Sequence, residues 1–190
     1  MLQYLNYLWQ KYIVVKPSYD IIDTLKISPS RSPNFNVDKD RKVKCIVLHN
    51  TGSDSLSSTL KWFGDRLSGV SAHYVIDKDG SVTQCVALKD VAWHAGKSSW
   101  RGLNAVNRIS LGIELVSKEM DGTDITKAQA DACLTLCWVL LDMYGLDADS
   151  ITTHKDICPD RKRDQGVSDL EEFKRCLAFY TAYKEVIKDR

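Results

Sequence analysis

The sequence predicts an α/β fold, a single domain with a central mixed β-sheet flanked by helices. Three observations lead there. VKCIVLH at 43–49 is a short apolar run that reads as a buried strand, Asp79-Gly80 marks a hairpin between two strand-like segments, and two capping boxes, Thr126 with Gln129 and Ser168 with Glu171, open long helical stretches. Strands mixed with helices and including a hairpin indicate a mixed sheet. At 190 residues the chain suits one domain, large enough to bury a core without staples.

In chain order, residues 1–15 place Leu5, Leu8, Trp9 and Tyr12 at helical spacing, which predicts a short amphipathic helix laid against the domain. Residues 16–42 hold three of the four prolines and read as a surface lead-in, with a turn of helix near 20–25. The division is thus 1–42, N-terminal helix and lead-in, and 43–190, the principal domain. After the strand ending at His49, Ser57 or Ser58 is expected to cap a helix through Leu67 that buries Leu60, Trp62 or Phe63, and Leu67. Ala72–Asp77 and Ser81–Ala87 form the hairpin. Residues 88–108 show little periodicity, and a loop of about twenty residues inside a domain points to function. Leu111–Val116 is a third core strand, interrupted by Glu114, a charge where the pattern asks for an apolar group. Thr126 opens a helix that Gly145 stops, with Leu134, Cys137, Leu140, Leu141 and Tyr144 as its buried stripe. Ser150–Thr153 is a short strand delivering His154, and the last helix reaches Lys188 with Phe173, Leu177 and Tyr180 inward.

Composition excludes several classes. The 26 basic and 25 acidic residues nearly cancel, so there is no broad electrostatic reason to expect nucleic acid as the main partner. No stretch approaches the roughly 20 apolar residues of a transmembrane helix. The start, MLQYLNYLWQKYIVV, has no basic residue before its apolar part and no small-residue cleavage site, so the expectation is a monomer made in the cytoplasm without a signal peptide. The six cysteines contain no CxxC pair and read as mostly reduced thiols, with Cys133 and Cys137 on one helix face as small buried hydrophobes.

The chemistry gathers in THKDICPDRKRDQG at 153–166, where His154 and Asp164 stand ten residues apart and Lys162 two before the aspartate. An imidazole and a carboxylate reach one divalent ion if the segment between them loops back, and Pro159 favours a loop. A catalytic zinc usually takes three protein ligands, so one more must come from elsewhere; His49, at a strand end, is the best donor.

IVLHNTG at 46–52, SAHYVIDKDG at 71–80, VAWHAG at 91–96, NRISLGIEL at 107–115 and HKDICPDRKRDQG at 154–166 resemble the successive motifs of the type 2 N-acetylmuramoyl-L-alanine amidases. That family includes phage endolysins, muropeptide-recycling amidases and peptidoglycan recognition proteins. The resemblance implies Zn2+ held by His49, His154 and Asp164 at the strand ends. It makes Glu114 the general base and Lys162 the group that stabilises the oxyanion, and the reaction hydrolysis of the amide between N-acetylmuramic acid and L-alanine. His94 and Trp93 are expected to cover a sugar or peptide face, with Asn50, Trp100, Arg101 and Asn107 as further groove residues, whereas His73 is expected to be buried and structural. Two departures stand out. Ala72 occupies a position where some members have a tyrosine that activates water, with Tyr74 retained as a site neighbour, and Asp160 and Gln165 replace the usual glycine and proline. The leading expectation is a phage or prophage endolysin acting on peptidoglycan. The alternatives are a recycling amidase acting on soluble anhydromuropeptides and a non-catalytic recognition module.

Overall fold

The computed structural model describes residue 25 and residues 27–188; the helix expected at 1–15 lies outside them, as does the turn near 20–25 apart from residue 25. In chain order the elements are β1 (Ile27–Pro29), β2 (Phe35–Val37), β3 (Cys45–Asn50), α1 (Leu56–Gly64), β4 (Tyr74–Ile76), β5 (Val82–Gln84), β6 (Asp90–Ala92), β7 (Ser99–Trp100), β8 (Leu103–Asn104), α2 (Val106–Ile109), β9 (Ser110–Leu115), α3 (Lys127–Tyr144), β10 (Ile151–Thr153), α4 (His154–Ile157) and α5 (Leu170–Lys188). Six strands form the central sheet in the order β1-β5-β4-β9-β3-β10. Only the β4–β5 hairpin is antiparallel; the other four pairings are parallel. The mixed α/β architecture is therefore the one the sequence predicts.

Alternation along the strands gives the sheet two different faces. Ile46 and Leu48 of β3, Leu111, Ile113 and Leu115 of β9, and Tyr74 and Ile76 of β4 pack against Cys133, Cys137, Leu140 and Leu141 of α3 and Phe173 and Leu177 of α5. The opposite face carries Cys45 and Val47, covered by Ala95, Val106 and Ile157, and Val75, covered by Phe63 of α1. All six cysteines are free thiols. No helix among the described residues is long and apolar enough to cross a membrane.

Helix α3 starts and stops where its sequence directs. Thr126 Oγ1 accepts from the Gln129 amide, Gln129 Oε1 accepts from the Thr126 amide, and Gly145, at φ 62°, turns its N–H back to the last carbonyls. Gln129 does more than cap: it is fully buried, and its Nε2 donates to Val116 O at 2.8 Å and Ile76 O at 3.2 Å. Those carbonyls close the ends of β4 and β9, so the side chain ties helix to sheet. Gln129→Ala orphans the Thr126 amide and Val116 O, whereas Ile76 O keeps the Val116 amide at 2.9 Å. The substitution is expected to lower stability by roughly 3 kcal/mol, read as a lower urea midpoint with metal binding intact.

Three expectations change. Helix α1 is capped by Ser55, whose Oγ accepts from the Ser58 amide, and ends at Gly64. That shift in phase puts Thr59 and Phe63 inward and leaves Trp62 57% and Leu67 92% exposed. Helix α5 follows Asp169, whose carboxylate accepts from the Glu172 amide at 2.8 Å, so aspartate rather than Ser168 caps it. The stretches read as irregular also contain pairing: β1 adds an edge strand, where Pro29 is tolerated, β2 pairs with β6 inside the long 88–108 segment, and β7 and β8 make a small hairpin.

Candidate active site and metal centre

Three neighbouring parallel strands deliver the site. His49 near the end of β3 is in register with Glu114 of β9, so their side chains leave the same sheet face side by side. On the other side of β3, β10 runs directly into His154, the first residue of α4, with Thr153 Oγ1 accepting from the Asp156 amide. The site thus lies at the carboxyl ends of the strands, where parallel sheets commonly bind ligands.

Asp164 is brought in by its loop. Asn50 Oδ1 accepts from the amides of Gly166 at 2.6 Å and Gln165 at 3.1 Å, and Asn50 Nδ2 donates to Gly166 O at 3.0 Å. The Asp164 carbonyl accepts from the Lys155 amide at 3.0 Å. Gly166 adopts φ 74°, and a Cβ there would lie 2.3 Å from that of Leu48, so only glycine fits. Gln165, where the family pattern has proline, uses the N–H that proline lacks: it also donates to Met120 O at 2.9 Å.

The result is a buried triangle. His49 Nδ1, His154 Nδ1 and Asp164 Oδ2 are separated by 2.9, 3.0 and 3.1 Å. Burial lowers His49 to about 4, against the opposing pull of Asp164, so this imidazole is neutral near pH 7. Burial alone would raise Asp164, but the hydrogen bond with His154 and the close approach of the His49 ring outweigh that and hold the carboxyl far below its ordinary range. Two imidazole nitrogens and a carboxylate oxygen converging in this way form a donor set for a cation. Ligand atoms around a tetrahedral zinc with bonds of about 2.0–2.1 Å are about 3.3 Å apart, and the observed triangle is close to that spacing. The residues fit a metal ion.

Glu114 stands beside the triangle with Oε2 buried and without a hydrogen-bond partner among the described residues. Burial first, and the charge of Asp164 second, push its carboxyl up to about 8, with Lys162 opposing. It borders a small cleft of about 150 Å3 that is also lined by Thr51, Ser53, Ser58 and Trp62. Lys162 is half-buried, and its charge acts on both Glu114 and His49.

The other predicted site residues separate into two groups. His94 is buried, with its ring edge-on to His49. Asn107 Oδ1 accepts from the amides of His94 at 3.1 Å and Ala95 at 2.6 Å, so both asparagines are occupied in holding loops. Trp93, half-buried, hydrogen-bonds through its indole to Asn36. Trp100 and Arg101 lie nearer the surface: the Arg101 guanidinium sits 4.7 Å from the Trp100 ring centroid and donates to Asp149 O. Tyr74 is on the helix-covered face, away from Glu114.

His73 is fully buried, accepting from the Gly112 amide through Nδ1 and donating through Nε2 to Asp90 O. Burial, and then the charge of Arg41, push it down to about 3. The neutral ring contributes stability that is complete above the ordinary histidine value of 6.5 and is lost as pH falls towards 3. The metal-free protein is expected to lose thermal stability between pH 6.5 and 4, and His73→Gln to flatten part of that fall, measured as Tm against pH.

Sequence reasoning missed Trp62, Ser110 and Gly112. The sequence leaves Trp62 or Phe63 as the inward residue, and the Ser55 cap sets the helix phase that buries Phe63 and turns Trp62 outward. Ser110 and Gly112 act through their fit to His94, for which the sequence carries no local signal.

Comparison with known proteins accords with this geometry. The family profile for N-acetylmuramoyl-L-alanine amidase matches residues 39–167. The 1,6-anhydro-N-acetylmuramyl-L-alanine amidase AmpD of Salmonella typhimurium is 39% identical over 121 residues, covering 62% of this chain and 62% of that protein. The chain thus spans about three fifths of the length of the curated relative it matches. The crystal structure of a Se-Met AmpD derivative superposes with a TM-score of 0.65 at 28% identity, covering 80% of this chain and 94% of that one. AmiD from E. coli, in complex with the substrate anhydro-N-acetylmuramic acid-L-Ala-D-gamma-Glu-L-Lys, gives 0.58 at 29% identity, covering 63% of this chain and 51% of that one. With more than half its length matched by the profile, the chain belongs to the N-acetylmuramoyl-L-alanine amidase family.

Proposed function

We propose that this protein is a zinc-dependent N-acetylmuramoyl-L-alanine amidase that hydrolyses the amide between the muramic acid lactyl group and L-alanine in soluble anhydromuropeptides. The observation that carries the reading is the buried His49–His154–Asp164 triangle beside the Glu114 carboxyl, whose buried Oε2 has no hydrogen-bond partner among the described residues. A recognition module needs neither a complete donor set nor a base, which favours the enzyme. The substrate class follows the relatives: AmpD is named for a 1,6-anhydro substrate and AmiD is complexed with one. The endolysin expectation has less behind it, because the residues that suggested it serve both substrate classes equally.

In this reading His49, His154 and Asp164 hold the ion, which when bound supplies Lewis acidity and lowers the pKa of a water towards 7. Glu114 takes a proton from the attacking water and returns it to the amine of L-alanine as the C–N bond breaks, so protons balance over the cycle. A carboxyl held near 8 by burial is lowered by a neighbouring cation, which brings it into the range where it both accepts and releases a proton near neutrality. Lys162 offsets the charge that develops on the carbonyl oxygen. Trp100 and Arg101 are assigned to the groove edge, where the Arg101 guanidinium would pair with a stem-peptide carboxylate. Trp93 borders it, whereas Asn50, Asn107 and His94 serve by positioning.

The test pairs metal analysis with product identification. Purified protein is incubated with soluble anhydromuropeptide and with intact sacculi, with and without chelator. Expected are about one zinc per chain, chelator-sensitive release of peptides beginning with L-alanine, and faster turnover of the soluble substrate. Faster hydrolysis of sacculi restores the endolysin reading, and no hydrolysis of either removes the enzyme.

A further inference from the structure

Behind the metal triangle, four groups stand in line, and hydrogen-bond direction along them is forced. Ser110 Oγ lies 2.6 Å from Val106 O, a separation that requires the hydroxyl proton between the two oxygens. Ser110 therefore has only lone pairs to offer His94 Nε2 at 3.2 Å, so His94 carries its proton on Nε2 and presents Nδ1 as an acceptor. That Nδ1 is 3.0 Å from His49 Nε2, which must then be the donor. His49 is left with a bare Nδ1, the atom that faces His154 and Asp164.

We propose that His94, anchored by Ser110, is a positioning residue that fixes the tautomer and ring orientation of His49 for metal binding. The inference rests on the reading of the triangle as a metal site. The slot is built for this ring. Gly112 lies beneath it, and a Cβ there would come within 2.5 Å of His94 Cγ. The loop carrying His94 is pinned by Asn107, and the ring meets His49 edge-on at 5.1 Å and 84°. With 8% of its surface exposed, His94 has little to present to a substrate. Metal-ligating histidines are commonly oriented by a carboxylate, a backbone carbonyl or water; here a neutral second imidazole does that work, and its own tautomer is set one step further back.

Two substitutions at one position separate orientation from packing. His94→Phe fills the slot without an acceptor, whereas the His94→Gln side chain has both an acceptor for His49 and a donor for Ser110. Zinc affinity by chelator competition is expected to fall about 10–100-fold in His94→Phe and only a few-fold in His94→Gln. Long-range 1H–15N spectra of the metal-free protein should show His49 as the Nε2–H tautomer in the parent and a mixture in His94→Phe. Should His94→Phe fail to fold, Ser110→Ala removes the anchor and leaves the ring in place, and is expected to loosen the His94 tautomer and weaken zinc several-fold. Parent-like zinc affinity together with an unchanged His49 tautomer in the folded variant overturns the inference. If the parent itself binds no zinc, the metal reading fails, while the tautomer of His49 still decides the relay.

Discussion

Glu114→Gln is expected to lower turnover by roughly 10^2–10^4-fold, the usual contribution of a positioned acid–base group, while zinc content stays at that of the parent. The amide keeps the volume of the carboxyl but neither accepts nor returns a proton. The same substitution should stabilise the metal-free protein at high pH. Glu114 is pushed from 4.5 up to about 8, so folding binds a proton between those values. The stability associated with it is complete below pH 4.5 and is lost as pH rises through 8. Glutamine has no such loss, so in chelator the Tm difference between variant and parent should move in favour of the variant from pH 5 to pH 9. Undiminished turnover would place the base elsewhere, and metal loss equal to that of His49→Ala would make Glu114 a ligand.

The parts of this site legible in the sequence are those that depend on one element at a time. An apolar run ending in His49, an apolar strand broken by Glu114, and a proline-containing loop with His154 and Asp164 each carry their signal locally, and ordered motifs relate them. The β3–β9 register then places His49 beside Glu114, which no local pattern specifies. His94 shows the limit: an imidazole next to a tryptophan in an aperiodic segment looks like a surface contact, and only Gly112, on a strand eighteen residues later, makes room to bury it. Asn50 likewise looks like a groove residue at a strand end, yet its amide is consumed by the backbone of 165–166. Choosing endolysin over recycling was beyond the catalytic residues altogether, since one donor set and one base serve either substrate.

Asp164→Asn is expected to remove the bound ion, from about one per chain to near zero, because only two strong donors remain for a site that needs three. Turnover should fall with it. The informative readout is again stability without metal, where the sign opposes that of Glu114→Gln. Asp164 has a carboxyl held below its ordinary range by two imidazoles despite burial, so its stabilising contribution is present above 3.8 and lost only as pH falls through the lowered value. In chelator at pH 7 the asparagine variant should therefore melt below the parent, whereas Glu114→Gln should melt at or above it. Two neighbouring acids with opposite responses distinguish a carboxylate built to stay ionised, as a ligand must, from a carboxyl poised to exchange a proton. If Asp164→Asn binds zinc with the parent's affinity, the third ligand is not Asp164. If both variants shift Tm in the same direction, the division of labour between the two acids is wrong.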